Sequence, residues 1–252
     1  VIAKGRADAP IRLIARKGGT WRGLYVLKAE GRSEFFHTEI AATRALVDGS
    51  LQLTGAVTFY KSPFYLDHVT FAGTKAEDAL NSVHSDFEIT NTRFTDTVSD
   101  AFDSDFSNGV IRATSFRNIG GDGLDISGST VKGDGLDFTG IKDKAVSVGE
   151  ASNVTLSGIR ITDAGTGIVS KDGSQLVVKG LTARDIHFYT GMAYIKKPMY
   201  GPARLDIGDS RVNAAKLFNQ LKNSLVLDGK PVPGRDLDVD NLYKSGPMKK
   251  GR

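Results

Sequence analysis

The chain has 252 residues and a formal net charge of +4, from 33 basic and 29 acidic residues, which is long enough for one large domain or two small ones with a real core. With 40% hydrophobic and 25% charged residues, its composition excludes a disordered chain, and no run of about 18 apolar residues is present to cross a bilayer as a helix. The absence of cysteine excludes disulfides, thiolate metal sites and thiol nucleophiles, and the charge bias is too small to point to nucleic acid.

The chain opens at Val1 without a charged-then-apolar leader, so any targeting segment is expected to lie upstream or to have been removed, and any further domain to lie upstream. Residues 1–54 read as opening coils, Ile2-Ala3-Lys4-Gly5, Ala9-Pro10-Ile11-Arg12-Leu13 and Trp21-Arg22-Gly23-Leu24, followed by an excursion from Ala42 to Leu53. Beyond Gly55-Ala56-Val57-Thr58 the sequence repeats. Asp78-Ala79-Leu80-Asn81, Asp100-Ala101-Phe102-Asp103, Asp122-Gly123-Leu124-Asp125, Lys144-Ala145-Val146-Ser147 and Thr166-Gly167-Ile168-Val169 start 22 residues apart, and Gly191-Met192-Ala193-Tyr194 follows after a short insertion. Phe71, Phe94, Phe116 and Phe138 keep nearly the same step.

Each repeat is rich in Val, Ile, Phe, Thr and Ser and is cut by Gly, Asn and Asp, which is strand chemistry. Three short strands with their turns consume about 22 residues at ~3.3 Å per residue. The leucine-rich consensus is missing, no amphipathic helix lies inside a repeat, and a propeller blade needs about twice the length. An all-β parallel β-helix of 22-residue rungs, about eight of them, is what remains. Leu80, Phe102, Leu124, Val146 and Ile168 form its predicted internal column.

After Tyr200-Gly201-Pro202 the repeat fades. Ala214, Leu217, Phe218, Leu221 and Leu225 recur at helical spacing, so a short C-terminal capping helix is predicted over 213–225. Domain limits of 1–212 for the β-helix and 213–252 for the cap and tail follow. The tail from Asp228, ending in Lys249, Lys250 and Arg252, reads as extended and basic.

On these repeats the chain resembles the right-handed parallel β-helix proteins of the pectin-lyase-like superfamily, over roughly residues 1–212. The resemblance implies a right-handed solenoid, in line with the usual crossover hand, and a carbohydrate-related role. No alginate-epimerase Asp-Pro-His-Asp motif or pectate-lyase arginine motif is present, so the resemblance assigns no reaction.

Stacking at about 4.8 Å per rung makes columns the unit of any site. One column runs Asp78, Asp100, Asp122, Lys144; a second Asn81, Asp103, Asp125, Ser147; a third includes Asp105, Ser127, Gly149 and Lys171. Stacked carboxylates repel unless a cation, a raised pKa or exposure relieves them. Asp100, Asp103, Asp105, Asp122 and Asp125 supply enough hard oxygens for Ca2+; the alternative is that they serve as turn residues accepting backbone N–H groups. The segment beginning Gly120-Gly121-Asp122 is not a calcium nonapeptide, because Ser127 stands where a large apolar residue is needed.

Lys144, Glu150, Lys171 and Asp172 are the catalytic candidates. Asp122, Asp125, Tyr194, Lys196 and Lys197 are the substrate-binding ones. Lys171 is expected beside Glu150, exposed, and with its pKa drawn toward neutrality by its neighbours; the alternative is a ladder of structural salt bridges. His37, His68, His84 and His187 suggest no metal pair, and a surface or packing role is read for His84, one rung from Phe106. No nucleophilic-serine or phosphate-loop motif occurs.

Together these features point to a polarised face that holds an anionic polysaccharide, as a lyase, epimerase or hydrolase. The alternative is a non-catalytic structural or assembly module of a larger surface protein. Either role implies an extracytoplasmic setting, periplasmic or at the cell surface.

Overall fold

A 22-residue period sets equivalent residues one above another, and the computed structural model of the chain is built in that way. The structure describes residues 1–246, 248 and 249, except for the side chains of residues 17 and 51. Leu80 pairs with Phe102, Phe102 with Leu124, Leu124 with Val146 and Val146 with Ile168, all in parallel register. The result is an all-β parallel solenoid of about nine turns, one more than the repeat count suggests.

Each regular turn contributes to three faces. The first carries Asp78–Val83, Asp100–Asp105 and Leu124–Ser127, then the later parts of the long strands Asp137–Gly149 and Arg160–Lys171, and finally Gly191–Tyr194. The second stacks Phe87–Thr90, Asn108–Arg112, Thr130–Asp134, Asn153–Ser157 and Gln175–Lys179. The third includes Arg93–Thr97 and Ser115–Ile119, which run onto the first part of Asp137–Gly149.

Inside, like stacks on like. Phe71, Phe94, Phe116 and Phe138 lie nearly parallel with centroids 4.7, 5.1 and 4.6 Å apart, an offset arrangement that adds to simple burial. One corner carries a polar ladder: Ser85, Ser107, Ser129, Ser152 and Ser174 each accept the backbone N–H of the serine one turn earlier at 2.9–3.1 Å. Buried turn amides are satisfied by this ladder, which removes the cost of leaving them unpaired. The excursion after Ala42 contains a two-residue antiparallel hairpin, Val47–Asp48 against Leu51–Gln52.

The C-terminal region departs from the sequence reading. Residues 213–225 do not form a helix: a single 3₁₀ turn, Ala214–Lys216, leads into strands Leu217–Gln220 and Ser224–Leu227. Leu217 pairs with Gly191 and Ser224 with Arg204, so the parallel ladder continues past residue 212. Tertiary pairing wins here because the last full turn offers free strand edges, and an edge recruits a short apolar segment more strongly than helical spacing holds it. Neither is the tail simply extended. It forms helix α1 (Val239–Lys244), capped by the Asp238 side chain, which accepts the Asn241 N–H at 2.9 Å. Lys250 and Arg252 lie outside the described residues.

Helix α1 docks on the side of the solenoid. Leu242 and Met248 pack with Val169, Met192 and Tyr194, flanked by Tyr189, Phe218 and Tyr243.

Candidate functional site

Alternation along the first face turns Leu80, Phe102 and Leu124 inward, leaving Asn81, Asp103 and Asp125 facing outward. Asp103 stands in register with Asn81 on one side and Asp125 on the other, and Asp125 with Ser147. The acidic and basic patches therefore share a face, and they meet in a groove of about 360 Å3. Asp100, Asp122, Asp125, Asp143, Lys144, Lys171 and Lys196 line it, with Tyr243 and Met248 closing one side.

The first column is knitted to the backbone. Asp100 Oδ1 accepts the Asp122 N–H at 2.7 Å, and Asp122 Oδ1 accepts the Lys144 N–H at 2.9 Å. Lys144 Nζ lies 3.0 Å from Asp122 and 2.6 Å from Asp143. Burial works to deprotonate this lysine, but the two carboxylates outweigh it and raise its pKa. Burial also pushes the Asp122 carboxyl up to about 8, against the pull of Lys144.

Lys171 stands differently from its sequence expectation. It is buried, donates to Ser147 Oγ at 2.6 Å and lies 3.8 Å from Asp125 Oδ1. Its partner is Asp125, not Glu150, because its side chain runs back across Gly149, where an added Cβ would sit 2.9 Å from Lys171 Cε. Nor is its pKa lowered: burial acts in that direction, but Asp125 reverses it and raises the value. Of the lysines lining the groove, it is Lys196 whose pKa is lowered, by partial burial and by Lys171 and Lys144 nearby. Its ammonium rests 4.2 Å from the centre of the Tyr243 ring, a cation–π contact.

The carboxyls of the acidic half are pushed apart in pKa. Burial raises Asp78 to about 7 and Asp103 well above the carboxylate range, the latter helped by Asp105 and Asp125. Asp105 is raised by burial even though Asn81 donates to it at 3.3 Å. Asp125 alone of this cluster goes down: burial opposes its charge, but Lys171 and Lys144 more than compensate. Asp125 Oδ1 accepts no hydrogen bond from the protein.

Raised pKa values at Asp78, Asp103, Asp105 and Asp122, and the lysines beside Asp122 and Asp125, both act to relieve the stacked charge. Asp100, Asp103, Asp105, Asp122 and Asp125, expected as a calcium cage, are spread along columns, and among the described residues no three carboxylates or histidines gather as a metal-binding group.

The remaining candidates separate. Glu150 pairs with Lys197 and accepts from Tyr200 Oη at 3.4 Å, outside the groove lining. Asp172 is wholly buried and accepts the Lys196 and Lys197 N–H groups, both at 2.6 Å, so it fixes a corner. Tyr194, a substrate-binding candidate in the sequence, is wholly buried under α1 and contacts Tyr243 and Met248. Asp143, Tyr243 and Met248 were missed as groove residues. Asp143 was legible as the neighbour of Lys144; the other two arrive through docking of α1, which leaves no local signal.

With this geometry in hand, comparison with known proteins gives one positive result. The family model described as "Right handed beta helix region" matches residues 79–213, more than half of the chain, and the protein belongs to that family. Its solenoid is right-handed. No curated protein matches the chain.

Proposed function

We propose that the groove face binds an acidic polysaccharide and cleaves its glycosidic bonds, with Asp125 in the groove as nucleophile and Asp103, one rung away on the same face and outside the groove lining, as acid. The observation that carries this reading is the Asp103–Asp125 register pair, one carboxyl held protonated and the other ionised beside a buried lysine. Pairs of titrating groups driven apart by their surroundings divide acid and base work between them. Adjacent rungs set such carboxyls about 5 Å apart, the spacing of a retaining glycosidase pair.

Asp103 protonates the leaving oxygen while Asp125 attacks the anomeric carbon; Asp103, now ionised, then activates water to release the glycosyl group. Lys171 keeps Asp125 ionised, and Lys196 and Lys144 offer charge to a uronate carboxylate. A right-handed β-helix with one charged groove suits a linear polymer laid along its rungs. An extracytoplasmic setting is what this reading expects, since such polymers lie outside the cytoplasm.

The test is release of reducing ends from polyuronates and from neutral glucans, with and without calcium. Turnover of a polyuronate by the wild type and its loss in Asp103→Asn and Asp125→Asn, with binding retained, is the expected result. Binding without products from the wild type would instead favour the non-catalytic module, and a preference for neutral glucans would contradict the charge reading.

A further inference from the structure

The corner between the third face and the first carries a second cavity, of about 660 Å3, against about 360 Å3 for the charged groove. Thr97 pairs with Ile119, Ile119 with Ile141, Ile141 with Ala164 and Ala164 with Ile186. The residues that follow them, Val98, Gly120, Lys142, Gly165 and His187, therefore form a column along the solenoid, about 19 Å long at ~4.8 Å per rung. Val98, Gly120, Lys142 and His187 line the cavity, with Asn118, Gly140 and Asp163 beside them.

Backbone packing makes this column a trough. A Cβ at Gly120 would lie 2.3 Å from the Val98 carbonyl oxygen, and one at Gly165 would lie 2.4 Å from that of Lys142. Glycine alone lets the turns stack this closely, so the floor is bare between the side chains that remain.

Those side chains have bonding capacity to spare. Lys142 is exposed, and the adjacent Asp143 pairs with Lys144 instead. Among the described residues Lys142 forms no ion pair, so its ammonium is available to an anion. Asn118 donates its Nδ2 to Asp96 at 3.0 Å, which leaves its Oδ1 over Gly140, 3.2 Å from where a Cβ would stand. His187 Nε2 lies 2.9 Å from Asp163 Oδ1, a contact that orients the ring and leaves the second carboxylate oxygen to accept. At the other end Val98 is 60% exposed and supplies an apolar patch. A cation, oxygen acceptors and an apolar patch along a straight trough are the complement of a chain of acidic sugars.

Position ties the trough to the groove. Lys142 lines the one, while Asp143 and Lys144 line the other, so three consecutive residues form the ridge between them. We propose that the trough is a second binding site for the acidic polysaccharide, holding a strand beside the one in the groove. Lys142 pairs with a uronate carboxylate, Asn118 and Asp163 accept sugar hydroxyls, and Val98 meets a ring's apolar face. The inference rests on the polysaccharide reading of the groove and adds a strand to it: the trough keeps polymer close to the groove without taking part in cleavage.

The test titrates a galacturonate hexamer calorimetrically into the full chain, its Lys142→Glu and Lys196→Glu variants and the double variant, with release of reducing ends followed in parallel. The wild type is expected to take up two equivalents, each single variant one and the double variant none. Lys142→Glu should weaken the trough site about tenfold or more, the scale of one charge-assisted contact. It should leave the melting temperature within about 2 °C, because the side chain is exposed, and leave turnover of saturating hexamer unchanged. A single equivalent in the wild type that survives Lys142→Glu and is lost in Lys196→Glu overturns this inference and leaves the groove reading standing. A single equivalent with the opposite sensitivity, and no products, upholds the trough and overturns the groove reading. Failure of the wild type to bind the hexamer overturns both.

Discussion

One outward column of the solenoid has two halves. From Thr58 through Asn81, Asp103 and Asp125 to Ser147 it is polar; from Val169 through Met192 to Phe218 it is apolar and lies against α1 and its flanks. Backbone pairing is the same in both, so side chains alone decide which half is left for a ligand and which is covered. The lysines gather at the boundary, Lys144 and Lys171 on the turns of Ser147 and Val169. The covering segment lowers the local dielectric there and strengthens each charge interaction in the groove.

The widest contrast is between inward and outward neighbours. Leu124→Asp would bury an unpartnered carboxyl in a wholly enclosed site and is expected to cost more than about 4 kcal/mol and unfold the chain. Asp125→Asn, one residue on, should leave the chain folded and cost about 3 kcal/mol, because it strands the buried Lys171 ammonium. Equal collapse of both in thermal denaturation would mean that the facing of this strand is wrong.

Next comes the boundary itself. Lys171 is buried against Asp125 where the sequence predicts an exposed side chain, and its replacement by alanine is expected to cost about 3 kcal/mol, because an ionised partner is stranded. Combining Lys171→Ala with Asp125→Asn should recover most of that loss. Simple additivity of the two changes in chemical denaturation would show that they do not form a pair.

A smaller effect separates the acidic half by pH. Asp78 is protonated in the fold and ionised in the unfolded chain over a wide window, with a folded value of about 7 against 3.8. Its stabilisation is complete below 3.8 and is lost as pH rises through about 7. Melting temperature should therefore fall across that window, and Asp78→Asn should flatten the fall. A melting temperature that rises over the same range would contradict the protonated state.

Much of the molecule was legible because the repeat is a statement about space. A step of 22 fixes parallel stacking, the column of Leu80 to Ile168 fixes the inside, and Asp103 and Asp125 must then share the outside. The serine ladder was equally written at that step, yet each serine alone resembles any turn residue. Misreadings came where local pattern and long-range pairing compete. Leu217, Leu221 and Leu225 suit a helix, but Leu217 and Leu225 also suit two inward strand positions separated by a turn at Lys222, and only the free edge above decides. The partner of Lys171 depended on which way a long side chain lies over Gly149, and the burial of Tyr194 on a helix about 50 residues away in sequence; neither leaves a mark in spacing.

The most direct measurement is the titration of the Asp103 and Asp125 carboxyl carbons by NMR in the full chain. Asp103 is expected to hold its proton well above the ordinary carboxylate range while Asp125 ionises below it, each change disappearing in the matching Asn variant. If both carboxyls titrate together near 3.8, the pair is not divided into acid and nucleophile, and the groove does not perform the chemistry assigned to it.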